Sequence, residues 1–200
     1  MIRQAVISGG VSYHHGLIHP GEILHDFEVI QLGELVSVDL NPYDLIVVPR
    51  SVDGEVLRAR RYQFARFLDR GGVLIAFGEL WANWFPGCRW EAECHEDILE
   101  PVIARDHPII AGFSARDLYW HPSTERWCCH GHLSAPRGAD VLVRNRSGDA
   151  WLYVDRVTTN GLIIASSNLD PDTHTYHGSP VARAFFAQLL AWARAEAELL

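Results

Sequence analysis

Apolar side chains along this chain follow two rhythms, and the alternation between them predicts the elements. Residues 45–48, 73–77 and 162–166 are continuous runs of apolar or small side chains. Such runs fit strands covered on both faces, as in parallel sheets, because a strand with one wet face alternates instead. Residues 5–8 form a first strand closed by Gly9-Gly10, and residues 27–32 a second. Residues 55–70 show helical spacing: Val56, Leu57, Tyr62, Phe64, Ala65, Phe67 and Leu68 fall on one broad stripe, with Arg58, Arg60, Arg61 and Arg66 mainly outside it. Asp53 is placed to cap this helix and Gly71 to stop it. Residues 21–27 predict a short helix. Residues 180–199 predict a closing one, with Val181, Phe185, Leu189 and Trp192 marking its buried face. A strand, a crossover helix and a strand, as in residues 45–77, form a right-handed parallel unit.

Between residues 81 and 136 the pattern dissolves. This stretch holds Trp81, Trp84, Trp90, Trp120 and Trp127 with Cys88, Cys94, Cys128 and Cys129, and its length without clear elements marks a functional insertion or a small subdomain. Beyond it, residues 139–144 and 150–154 flank Arg146-Ser147-Gly148-Asp149, a hairpin signal. The order of elements predicts one domain over residues 1–200. The expected fold is a three-layer α/β/α sandwich with a flavodoxin-like, mostly parallel sheet and a late β-hairpin.

Composition narrows the functional classes. At 200 residues, with 48% hydrophobic and 21% charged side chains, the chain can bury a sizeable core. A net charge of −8 argues against nucleic-acid binding. The sequence has no Lys, so all 17 positive charges are Arg, a bias that high-GC coding produces as well as function. It has no apolar run of membrane-spanning length, and residues 1–7 read as a strand rather than a signal peptide. The four cysteines lack a spacing repeat, which suits reduced thiols, so a cytoplasmic location is expected.

Several segments carry a family resemblance. Tyr43-Asp44-Leu45-Ile46-Val47-Val48-Pro49, Asp69-Arg70-Gly71-Gly72-Val73-Leu74-Ile75-Ala76 and Gly161-Leu162-Ile163-Ile164 resemble the class I glutamine amidotransferase-like superfamily, nearest its ThuA-like branch. Asn168-Leu169-Asp170-Pro171 and the closing helix Phe185-Phe186-Ala187-Gln188-Leu189-Leu190-Ala191-Trp192 extend the likeness. The resemblance implies a nucleophilic Cys on a tight turn after strand 73–77 and a partner His after strand 162–166. Here Gly78-Glu79 stands where that Cys would be, while His174 or His177 matches the His. Without a thiolate no thioester forms, so the resemblance implies a divergent member without glutaminase activity.

Four constellations bear on chemistry. His14 and His15, in the His-rich segment after the first strand, lie at the carboxyl edge of the predicted sheet, either as ligand-binding groups or as a solvent-facing loop. His130 and His132, beside Cys128-Cys129, share one face of an extended chain and are the candidate ligands of a divalent metal cofactor; the alternative is a plain loop pair. Glu79 with the segment Asp170 to His177 forms an acid/base constellation of Glu79, His174 and His177, or else Glu79 caps a following helix. Trp81 and its neighbouring aromatics offer stacking faces for a sugar-like ligand, or form local core or an oligomer contact. The expected function is binding of a small polar, sugar-like molecule by His14, His15, Trp81 and Asp170 at the carboxyl edge, with no nucleic-acid or membrane partner. The alternative is a catalytically silent assembly domain, a homodimer joined through the aromatic insertion.

Overall fold

The continuous apolar runs form the middle of one sheet. The computed structural model describes residues 2–92, 100–119 and 131–200. In chain order these give β1 (Gln4–Ser8), α1 (Ser12–Ile18), β2 (Glu28–Gln31), β3 (Leu45–Val48), α2 (Gly54–Ala59), α3 (Arg61–Asp69) and β4 (Val73–Phe77). Three short strands follow, β5 (Trp90–Glu91), β6 (Val102–Ile103) and β7 (His132–Leu133), then β8 (Asp140–Arg144), β9 (Ala150–Asp155) and β10 (Leu162–Ser166). The helices α4 (Pro171–Tyr176) and α5 (Pro180–Ala197) complete the chain.

Strands β2, β1, β3, β4 and β10 lie side by side in that order, and every pairing among them is parallel. From β10 outward the sheet turns antiparallel: β9 pairs with β10, and β8 pairs with β9 as the predicted hairpin. The short strands β5, β6 and β7 extend this side. The fold is therefore mixed α/β.

Register explains why the runs are apolar throughout. Val6, Val47, Ile75 and Ile164 line up across the parallel strands, as do Ala5, Ile46, Leu74 and Ile163 one residue earlier. Side chains alternate between faces along a strand, so the two rows serve opposite faces. The first row packs with Leu17 of α1 and with Phe185, Phe186 and Leu189 of α5. The second packs with Leu57 of α2 and with Phe64, Phe67 and Leu68 of α3. Both faces are dry along the middle of these strands.

Three helical expectations need correction. Residues 55–70 are two helices that break at Arg60, whose φ of −108° and ψ of 9° leave the helical region. The break rotates the stripe, so Val56 and Tyr62 emerge to solvent while Leu57, Phe64, Phe67 and Leu68 stay buried. Asp53 caps α2 as expected, its carboxylate accepting from the backbone N–H groups of Glu55 and Val56. Residues 21–27 form turns rather than a helix; the helix lies earlier, at Ser12–Ile18, in the segment read as a loop. In α5 the buried face is Ala182, Phe185, Phe186, Leu189, Leu190 and Ala193, with Val181 exposed.

The turn between α3 and β4 meets the start of β10 with no room to spare. A Cβ on Gly161 would lie 2.2 Å from the Gly72 carbonyl oxygen and 2.6 Å from that of Leu68. Both neighbours are backbone, so neither can rotate away. Gly161→Ala should therefore cost about 2–3 kcal/mol through forced backbone displacement, read as a lower urea midpoint with an unchanged slope. An unchanged midpoint would show that this approach is not close in solution.

Candidate functional site at the carboxyl edge

Parallel strands deliver their carboxyl ends to one edge of the sheet. Four loops meet there: Gly9-Gly10 after β1, Pro49-Arg50-Ser51 after β3, Gly78-Glu79 after β4, and Ser167-Asn168-Leu169-Asp170 after β10. The chain proceeds to β2 on one side of β1 and to β4 and β10 beyond β3 on the other. The β1/β3 boundary is thus the topological switch point, where open α/β sheets form their ligand crevice.

Arg50 occupies that boundary and is held at every polar atom of its backbone. Its N–H donates to Asp172 Oδ2 at 2.8 Å. Its carbonyl accepts from His14 Nε2 at 2.7 Å and from the Tyr13 hydroxyl. His14 Nδ1 in turn accepts from the Gly9 N–H at 3.0 Å, which assigns the ring proton to Nε2. Burial holds the His14 pKa below its ordinary value, in keeping with a neutral ring that spans the loops after β1 and β3.

The guanidinium meets two acids. Nε donates to Glu79 Oε2 at 3.1 Å and Nη2 to Glu79 Oε1, while Nη1 donates to Asp170 Oδ2 at 3.0 Å. Gly78 makes the approach feasible: its φ is 91°, and a Cβ there would sit 2.5 Å from Arg50 Cγ. Side-chain exposure is 21% for Arg50 and 27% for Glu79 but 5% for Asp170, so the Glu79 side of the cluster faces solvent and the Asp170 side faces the protein.

The cluster sets one guanidinium against three carboxyl groups. Burial pushes Asp170 up to about 7, assisted by the neighbouring charges of Asp172 and Glu79 and opposed by Arg50. Burial likewise raises Asp172 to about 6, against the relief given by the Arg50 N–H. Oδ1 of each aspartate is buried and accepts no hydrogen bond among the described residues. Burial works against the Arg50 charge, but Asp170 and Glu79 outweigh it and keep the guanidinium protonated. Near neutrality the edge therefore holds a permanent cation, a solvent-side carboxylate and two carboxyls poised to exchange a proton, the pKa spread that acid/base sites use.

The expected site residues divide. Glu79 and Asp170 come together, through Arg50. Glu79 does not cap a helix, because residues 78–89 hold turns and no helix. His14 is a buried brace with both ring nitrogens on backbone groups. His15 is exposed on α1. Trp81 is half-exposed, its ring against the start of α2 at Gly54. His174 sits half-buried in α4, its N–H bonded to the Asp170 carbonyl at 3.2 Å. His177 is exposed, its ring centroid 5.2 Å from that of Tyr176. His132 is buried in β7, with Nε2 3.8 Å from Asp149 Oδ1, and His130 lies outside the described residues. Among the described residues no group of three or more His, Cys, Asp and Glu side chains is gathered to hold a metal ion.

Arg50, Asp172 and Tyr13 were not singled out in the sequence. Arg50 had a signal: it follows the apolar run of β3 by one Pro, which places it at the same edge as His14.

No protein-family model matches the chain, and no curated protein matches it. Two solved structures are similar over nearly their whole length. The cytoplasmic protein STM3548 from Salmonella typhimurium has a TM-score of 0.63 at 13% identity, covering 96% of this chain and 98% of that one. The cytoplasmic protein STM1381 from Salmonella typhimurium LT2 has a TM-score of 0.64 at 15% identity, covering 96% and 99%. At these identities the likeness shows a shared fold alone.

The Asp172 shift has a pH signature. The folded protein keeps this proton to about pH 6, whereas an unfolded aspartate releases it near 3.8. The stability contributed is full below the lower value and is lost as pH rises through the upper one. Asn at this position stays neutral and still accepts from the Arg50 N–H. Asp172→Asn should thus gain stability relative to the parent between pH 4 and pH 7, on the order of 3 kcal/mol, and level off above. Urea denaturation across that range measures it; a relative loss with rising pH would mean that Asp172 is held as a carboxylate.

Proposed function

We propose that this chain is a divergent member of the class I glutamine amidotransferase-like superfamily that binds a small polar molecule at the carboxyl edge and performs acid/base chemistry there. The parallel order β2-β1-β3-β4-β10, with helices on both faces, supports a flavodoxin-like three-layer α/β/α sandwich. The observation that carries the function is the Arg50–Glu79–Asp170–Asp172 cluster at the switch point, with two buried carboxyls raised toward neutrality. Glu79 is the solvent-side carboxylate suited to take up a proton from a ligand, and Asp170 is the acid behind it. Trp81 offers a half-exposed ring two residues on, suited to the apolar face of a sugar-like ring.

Glutamine hydrolysis falls outside this reading. Position 78 is Gly and position 79 is Glu at the turn where the family's nucleophile belongs. Cys88, the free cysteine of the described residues, is buried, and burial pushes its thiol far above the range in which a thiolate forms. A cytoplasmic location fits the two similar Salmonella proteins, and no helix among the described residues is long and apolar enough to cross a membrane.

One observation favours the assembly reading. Val56 of α2 is exposed, as is Trp81 beside the start of the same helix at Gly54.

Amide chemical shifts during titration with a panel of neutral sugars, sugar phosphates and dicarboxylates discriminate the two readings. A binding molecule should perturb residues 50–52, 78–82 and 168–170 together. Perturbations confined to other surfaces, or a sedimenting dimer that Trp81→Ser dissociates, would favour assembly instead.

A further inference from the structure

We propose that Arg50 receives the carboxylate or phosphate group of the small-molecule ligand, and that Glu79 holds this place in the free protein as an internal stand-in. The proposal rests on the reading of the carboxyl edge as a ligand site and names the chemical class that site takes.

The argument begins with how the guanidinium is oriented. Buried Asp170 anchors Nη1 from the protein side. This turns the Nε/Nη2 edge toward the solvent side, and that edge is the fork that matches an oxyanion with two parallel hydrogen bonds. Glu79 fills the fork in the manner of a ligand, through both carboxylate oxygens. A carboxylate or phosphate monoanion arriving there replaces one negative charge by another, so Arg50 is never left without a counter-charge in a partly buried site. A neutral sugar hydroxyl offers no such exchange.

The chain around Glu79 permits the exchange. Glu79 lies between β4 and a run of turns, and belongs to no helix or strand, so its side chain leaves Arg50 without breaking a ladder of backbone hydrogen bonds. The Arg50 backbone, by contrast, is fixed by Asp172, His14 and Tyr13. The receptor is fixed through its backbone, whereas Glu79 reaches it through its side chain. Glu79 acts as a tethered competitor at high effective concentration.

Titration with inorganic phosphate and with acetate at constant ionic strength, followed by amide chemical shifts, tests this directly. Glu79→Gln removes the competing charge and should tighten binding of these anions about tenfold or more, with perturbations centred on residues 50–52 and 78–82. Glu79→Ser gives the same readout should the amide refill the fork. Combining either change with Arg50→Lys, which keeps the charge and loses the fork, should return affinity to the parent level or below. Equal affinity in parent and both Glu79 variants overturns the proposal, as does tightening that survives Arg50→Lys. If neutral sugars perturb this edge while phosphate and acetate remain indifferent to Glu79, the ligand class is wrong and the site stands. Perturbations confined to other surfaces by every compound overturn both.

Discussion

Arg50 joins segments that the chain order keeps far apart. Its carbonyl ties to α1 36 residues earlier, its side chain to Glu79 29 residues later, and its N–H and Nη1 to Asp172 and Asp170 more than a hundred residues away. The partners sit at the carboxyl ends of β4 and β10 or on the helices that follow β1 and β10. Hydrophobic burial fixes the sheet, but it is indifferent to how the loops at its edge are arranged. The ion cluster makes that arrangement single-valued. Desolvating such groups is costly, and removing one partner from a buried pair leaves a charge whose penalty is about 3–5 kcal/mol. The cluster therefore acts less as a source of stability than as a constraint on which loop conformations are tolerated.

The same constraint explains the proton held in the cluster. One guanidinium neutralises one carboxylate fully, and Glu79 takes the bidentate edge. Asp170 and Asp172 share what remains, in a site too dry to ionise both at no cost, and so their carboxyls rise toward neutrality. Oδ1 of each aspartate is buried without a hydrogen-bond partner among the described residues, which makes full ionisation of both costly.

The sheet was legible in the sequence because a strand buried on both faces cannot hide: Leu45–Val48, Val73–Phe77 and Leu162–Ser166 each show an uninterrupted apolar run. The helices were legible where local rules govern them, as at the Asp53 cap, and not where tertiary contacts do. Helix α1 contains Gly16 and two adjacent histidines, poor helix formers all. It exists because His14 is pinned between the Gly9 N–H and the Arg50 carbonyl and because the Tyr176 ring packs directly over Gly16. Those contacts reach across the fold and leave no periodic trace. The break at Arg60 escaped for a related reason, since its flanks keep an acceptable apolar spacing on either side. At the site, Glu79 and Asp170 were visible as polar residues ending apolar strands. The residue that connects them was not, because pairing between positions 50, 79 and 170 is a property of the folded edge alone.

The departure at the turn after β4 and the presence of Arg50 are two sides of one arrangement. A strand-to-helix turn that presents a nucleophile needs a side chain standing clear at its apex and a helix running away behind it. Here Gly78 has no side chain, lies in the left-handed region at a φ of 91°, and is covered by Arg50, whose Cγ would be 2.5 Å from any Cβ placed there. No helix follows. A nucleophile at position 78 would collide with Arg50, and one at position 79 would face a guanidinium rather than open space. Charge pairing between β3 and β4 thus occupies the space that a side chain at position 78 would need.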